Sequence, residues 1–145
     1  MTNEPLLNRS RAQRILDREG VDGLLASTFE NVYYLSNLWV ENFFVLPRQT
    51  QAFAIVAREK LGQPVVVAGI GEVANFAQAC PPTASLITFG RFFRFVEEGS
   101  SLDSLAAAVK DRVIDHLDES KASVVDALAA GLEQAGLTRA TVAYD

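Results

Sequence analysis

The stretch VDGLLASTFENVYYLSNLW, from Val21 to Trp39, constrains the fold more than any other part of the chain. Val21, Leu24, Leu25 and Ala26 form a short apolar run just after Gly20, which suits a strand covered on both faces better than a half-solvated one. Ser27 and Thr28 end that strand, and a hydroxyl there is placed to cap the amides of a following helical turn. From Phe29 to Ser36, Phe29, Val32, Tyr33 and Ser36 recur at helical spacing, while Tyr34 and Leu35 fall to the flank. The spacing predicts a bulky helix lying on a sheet.

The other elements can be placed around this one. A first helix is predicted from Asn8, as its cap, to Glu19, with Gly20 terminating it. After Trp39 comes a loop, LWVENFFVLPRQ, and then two strands, QAFAIVARE and QPVVVAG, joined through Lys60, Leu61 and Gly62 in a hairpin-like turn. Glu72 to Cys80 reads as a helix, with Val73, Phe76, Ala77 and Cys80 at spacings of three and four, ended by Pro81 and Pro82. SLITFG is a further strand, and FFRFVEE either its hairpin partner or an aromatic loop. Leu102 to Leu117 presents Leu102, Leu105, Ala106, Val109, Val113 and Leu117 on one stripe. A second helix does so with Val125, Leu128, Leu132 and Ala135, and Gly136 closes it. The last strand is ATVAYD. Strands alternating with helices imply one α/β domain, and the hairpin makes its sheet mixed and mostly parallel, flanked by helices. A closing strand with nothing after it reads as the edge of a longer protein.

Size and composition narrow the function. At 145 residues, 49% of them hydrophobic, the chain can bury a core without staples. A net charge of −5 argues against nucleic acid as a partner. The basic cluster Arg9, Arg11, Arg14 and Arg18 reads as a solvated helix face. No apolar run approaches the roughly 20 residues that cross a bilayer, and the amino terminus lacks a signal pattern, so no membrane partner is expected and the cytoplasm is the default location. The single cysteine, Cys80, reads as a buried structural thiol.

The segment ENVYYLS after an apolar strand resembles the start of the N-terminal domain of creatinase, prolidase and aminopeptidase P, the pita-bread metallohydrolases. Members commonly read N-x-x-Y-L-[ST]-G there; Asn31, Tyr34, Leu35 and Ser36 match, and Asn37 stands for the glycine. Asn is the commonest non-glycine residue at positive φ, so the turn survives the change. The element order fits along essentially the whole chain. The resemblance implies a ribonuclease H-like fold, a noncatalytic role, and a C-terminal catalytic domain as partner beyond the closing VAYD strand. That missing domain would bind two divalent metals, such as manganese, cobalt or zinc, through two Asp, one His and two Glu. The parent would hydrolyse Xaa-Pro peptides or a creatine-like compound, and this domain would contribute subunit association in a homo-oligomer and shape access to the active site. By position, Trp39, Glu41 and Arg48 are the residues the resemblance places for substrate access or subunit contact.

The residues themselves offer no catalytic set and no metal site. His116 is the only histidine. Although Asp115, His116, Asp118 and Glu119 are close in sequence, on a helix they point apart, His116 toward the apolar stripe and Asp111, Asp115 and Asp118 away from it. A different reading starts from Gly69, Gly71 and Ala74, a G-x-G-x-x-A after an apolar strand and at the mouth of a helix, where a pyrophosphate would sit. Thr88, Phe89 and Gly90 occupy the place of the ribose-binding carboxylate, and Arg91 is available to a 2′-phosphate. A small nucleotide-binding module is therefore an alternative, and a stand-alone interaction domain is another. Nine phenylalanines, several in LWVENFFVLPRQ and GRFFRF beside arginines, include candidates for an interface.

Overall fold

The computed structural model describes residues 5–46, 49–91 and 119–145. The two central strands explain the architecture. In β2 (Ala52–Ala57) and β3 (Val65–Gly69), alternate residues enter two separate cores: Ala54, Val56, Val66 and Ala68 on one side, and Ile55, Ala57, Val65 and Val67 on the other. Strands with apolar groups on both faces need cover on both. On the first face lie α1 (Arg9–Glu19), α2 (Phe29–Ser36) and α4 (Val73–Ala79), contributing Leu16, Val32, Leu35, Val73 and Phe76. Covering the second face is the following described helix, α5 (Val124–Gln134), through Ala127, Leu128 and Leu132. A four-residue helix, α3 (Asn42–Val45), lies in the loop after α2.

With β1 (Gly23–Ala26), β4 (Ser85–Phe89) and β5 (Val142–Tyr144), the sheet has the order β4-β3-β2-β1-β5. Only β2 runs against the others: β3 pairs with β4 and β1 with β5 in parallel, whereas β2 is antiparallel to both its neighbours. This is the mixed, mostly parallel sheet that the pattern predicts. Caps also follow expectation in α1, where the Asn8 side chain accepts from the Arg11 amide and Gly20 closes the helix at φ 64°. Cys80 is buried, and Arg11, Arg14 and Arg18 are exposed. Among the described residues no helix is long and apolar enough to cross a membrane.

Several expectations change. In α2 the buried ridge is Val32, Leu35 and Ser36; Leu35 belongs to the core and not the flank, while Phe29 and Tyr33 are only half-buried. The β2–β3 connection is a 3-10 turn (Arg58–Lys60) and loop, and Gly62 is not left-handed there. A Cβ on Gly62 would lie 2.9 Å from Arg9 Cζ, so its smallness makes room for that guanidinium. In α5 Val125 is 71% exposed, and the helix meets the sheet through Ala127 and Gly131 instead. FFRFVEE, the Leu102–Leu117 helix and His116 lie outside the described residues, as do Asp111, Asp115 and Asp118.

The cause at α5 is close approach. A Cβ on Gly131 would stand 2.8 Å from Val67 Cγ2 and 2.9 Å from Ile55 Cδ1. Alanine would gain about 1 kcal/mol of helix propensity, yet overpacking a well-filled core costs roughly 1–3 kcal/mol. Val67 is β-branched and stiff, so the second effect dominates. Gly131→Ala is expected to destabilise the fold by about 1 kcal/mol, seen as a lower urea midpoint at unchanged slope.

Candidate functional site

The residues of the NVYYLS segment that match the family pattern, Asn31, Tyr34, Leu35 and Ser36, have separate physical tasks. The Asn31 carboxamide donates to Asp145 Oδ2 at 2.7 Å. Tyr34 turns its hydroxyl to the start of α1, accepting from the Asn8 amide at 3.0 Å. Leu35 is in the core. Buried Ser36 donates from Oγ to the Val32 carbonyl at 2.7 Å and accepts from the Leu38 amide at 3.1 Å, which turns the chain out of the helix. Asn37 adopts φ 63°, the only described non-glycine residue in the left-handed region, and its amide closes on the Tyr33 carbonyl at 2.7 Å.

At the opposite end of α2, Thr28 occupies the cap position but makes no side-chain capping bond. The hydroxyls of Ser27 and Thr28 point instead at Asp145, donating to Oδ1 at 2.8 Å and to Oδ2 at 2.6 Å. The Ser27 amide adds 2.7 Å to Oδ1 and the Thr28 amide 3.3 Å to Oδ2. A carboxylate from β5 is thus held at the start of the helix, where the positive end of the helix dipole also favours it. Partial burial pushes the Asp145 carboxyl up, but the bonds from Thr28, Asn31 and Ser27 outweigh that and hold it well below the usual carboxylate range.

The other end of β5 is held by a second carboxylate. Asp22 Oδ2 accepts from the Thr141 amide at 3.0 Å and Oδ1 from Arg58 Nη2 at 3.2 Å, and the Asp22 amide donates to the Thr141 carbonyl at 2.8 Å. Between these ends, Leu7, Leu24, Leu35, Tyr34, Tyr144 and Asp145 line a mainly apolar groove of about 270 Å³. Nothing in local sequence marks Asp145 or Asp22 as special. The only signal is a hydroxyl pair before a helix, and its acidic partner becomes visible once β1 and β5 are known to run in parallel.

An aromatic face adjoins this node. Trp39 stands edge-on to Phe29 (centroids 4.8 Å apart) and Tyr33 (5.6 Å) and stacks on Phe44 at 5.3 Å. Phe29 also meets Phe43 at 5.9 Å and Phe44 at 4.7 Å. Trp39 is 44% exposed, Phe44 61% and Val45 74%, so the patch is open to solvent. Of the positions expected to serve access or contact, Trp39 is its centre, Glu41 is exposed at the start of α3, and Arg48 lies outside the described residues.

The Gly69–Ala74 turn has a different shape from a pyrophosphate cradle. Gly69 sits at φ −58°, ψ 146°, a conformation open to any residue, and a 3-10 turn (Ile70–Glu72) separates it from α4. The Glu72 carboxylate, accepting from Asn75 Nδ2 at 2.8 Å, occupies the helix mouth where an anion would need positive potential. Among the described residues there is no group of three or more His, Cys, Asp or Glu able to hold a metal ion, so these residues do not fit a metal centre.

The Asn31–Asp145 bond makes the pH behaviour testable. Asn31→Ala should cost about 1 kcal/mol at pH 7. Asn31→Asp should cost about 1 kcal/mol more, because it sets two carboxylates side by side and raises the proton affinity of the pair. Urea titrations should show that gap closing as the pH falls to 4, where a shared proton restores a hydrogen bond. In the native chain the Asp145 contribution is present above the ordinary carboxylate range and is lost only as the pH drops below it.

A model of the Creatinase/Prolidase N-terminal domain family matches residues 9–144. No curated protein matches. Among solved structures, a dipeptidase from Pyrococcus horikoshii OT3 is 16% identical with a TM-score of 0.55, over 96% of this chain and 28% of that one. The Creatinase/Prolidase N-terminal domain of an X-Pro dipeptidase from Streptococcus pyogenes is 21% identical with a TM-score of 0.44, over 56% of this chain and 55% of that one. An aminopeptidase P from Streptococcus thermophilus is 18% identical with a TM-score of 0.43, over 97% and 91%. The chain thus spans about half the length of the Streptococcus pyogenes chain, 55%, and 28% of the Pyrococcus horikoshii chain. With the family model matched along nearly its whole length and the sheet order in place, this chain belongs to the Creatinase/Prolidase N-terminal domain family.

Proposed function

We propose that this chain is the noncatalytic N-terminal domain of an Xaa-Pro peptidase-like or creatinase-like metallohydrolase. Its role is subunit association and the shaping of access to an active site carried by a C-terminal catalytic domain. The observation that carries this reading is the solvent-open aromatic face around Trp39, with Phe44 and Val45 more than half exposed. Exposed aromatics clustered on one face are what a protein interface uses as anchors. Glu41 borders that face, and Arg48 follows it closely in sequence. The family match, and a coverage of 28% of the Pyrococcus horikoshii dipeptidase chain, support a larger parent. The two divalent metals of such a parent, manganese, cobalt or zinc, would be held by the C-terminal domain.

Two measurements test it. The purified 145-residue chain should hydrolyse neither Xaa-Pro dipeptides nor creatine with added manganese, cobalt or zinc; metal-dependent turnover would overturn the noncatalytic assignment. In the parent enzyme, Trp39→Ser with Phe44→Ser should weaken subunit association at least tenfold by sedimentation or raise KM severalfold with kcat little changed, because anchor aromatics carry a large share of interface energy. An unchanged association constant together with an unchanged KM would exclude the role given to this face.

A further inference from the structure

We propose that Asp145 is a positioning residue: its carboxylate latches edge strand β5 to the start of α2 and thereby sets the orientation of the aromatic face around Trp39. Little apolar packing holds β5. It is three residues long, pairs among the described residues with β1 alone, and exposes Ala143 and Tyr144, the latter 81%. A strand that buries so little apolar surface gains little from the hydrophobic effect. What it has are polar fastenings at its two ends, Asp22 on Thr141 and the Ser27–Thr28–Asn31 cradle on Asp145.

The cradle is complete for one carboxylate. Two amides, two hydroxyls and one carboxamide converge on the two oxygens, three of the contacts at 2.7 Å or less, and they bridge more than a hundred residues of sequence. Charge-assisted bonds of this kind are short and directional, so they fix an angle as well as a distance. The residue after Thr28 is Phe29, whose ring is the hub of the aromatic contacts to Trp39, Phe43 and Phe44. One peptide link therefore separates the latch from the patch. A hinge at the start of α2 would move Phe29 beneath Trp39, and the latch prevents that hinge from opening.

Trp39 is the only tryptophan, so its fluorescence reports the patch directly. In the folded 145-residue chain, Asp145→Asn should lower Tm by about 3–6 °C, the shift that loss of one charge-assisted cluster produces in a domain of this size. Well below Tm it should roughly double acrylamide quenching of Trp39 and speed amide exchange at Ser27 and Thr28 about tenfold, a local opening. Asp145→Ala should behave likewise, and acetate, but not chloride at equal ionic strength, should restore its quenching toward the native value. Asp145→Glu should retain most of the native behaviour. If Asp145→Asn unfolds the chain, Thr28→Val and Asn31→Ala, which each remove one donor, should give smaller changes of the same sign. Native-like quenching in folded Asp145→Asn, or equal restoration of Asp145→Ala by chloride, would overturn the proposal.

Discussion

Burial of the two central strands on both faces is the constraint on which everything else depends. Val66 and Val67, neighbours in β3, are both fully buried but in different cores. Neither can be covered by the sheet itself, so helices must close on it from both sides. At α5 the approach is close enough that Gly131 leaves no room for a side chain against Val67 and Ile55. On the opposite face α2 is set by Val32 and Leu35, and its two ends are consequently fixed in space.

Those fixed ends are where this domain concentrates its polar chemistry. At the amino end of α2 the Asp145 carboxylate gathers the Ser27, Thr28 and Asn31 donors. At the carboxyl end Ser36 and the left-handed Asn37 turn the chain sharply toward Trp39. Tyr34 reaches across to α1 between them. The segment that carries the family resemblance is thus occupied with internal work, and the aromatic face follows it.

Much of this was legible in the residues. The Asn8 cap and Gly20 stop of α1, the β2–β3 pair, the helix through Phe76 ended by Pro81 and Pro82, and the positive φ of Asn37 all follow from local chemistry, because each is decided within a few residues. The ridge of α2 was less so. Phe29 and Tyr33 are bulkier than Leu35 and claim the core by hydrophobicity, yet the following loop gives them a separate aromatic cluster, and the sheet is met by smaller groups. Val125 differs for another reason: Leu128 and Leu132 of the expected stripe do pack on the sheet, but the close approach at Gly131 turns Ala127 inward and leaves Val125 exposed.

By itself the sequence determined the class of fold, the order of its elements and the family, since apolar runs, helical spacing and the N-x-x-Y-L-S segment are properties of neighbouring residues. Only the tertiary structure decided the carboxylate latch and the open aromatic face. Asp145 and Ser27 become partners through the parallel pairing of the first and last strands, and whether Trp39 is covered depends on how the chain leaves α2. Interactions across more than a hundred residues are set by packing, and a linear pattern does not record them.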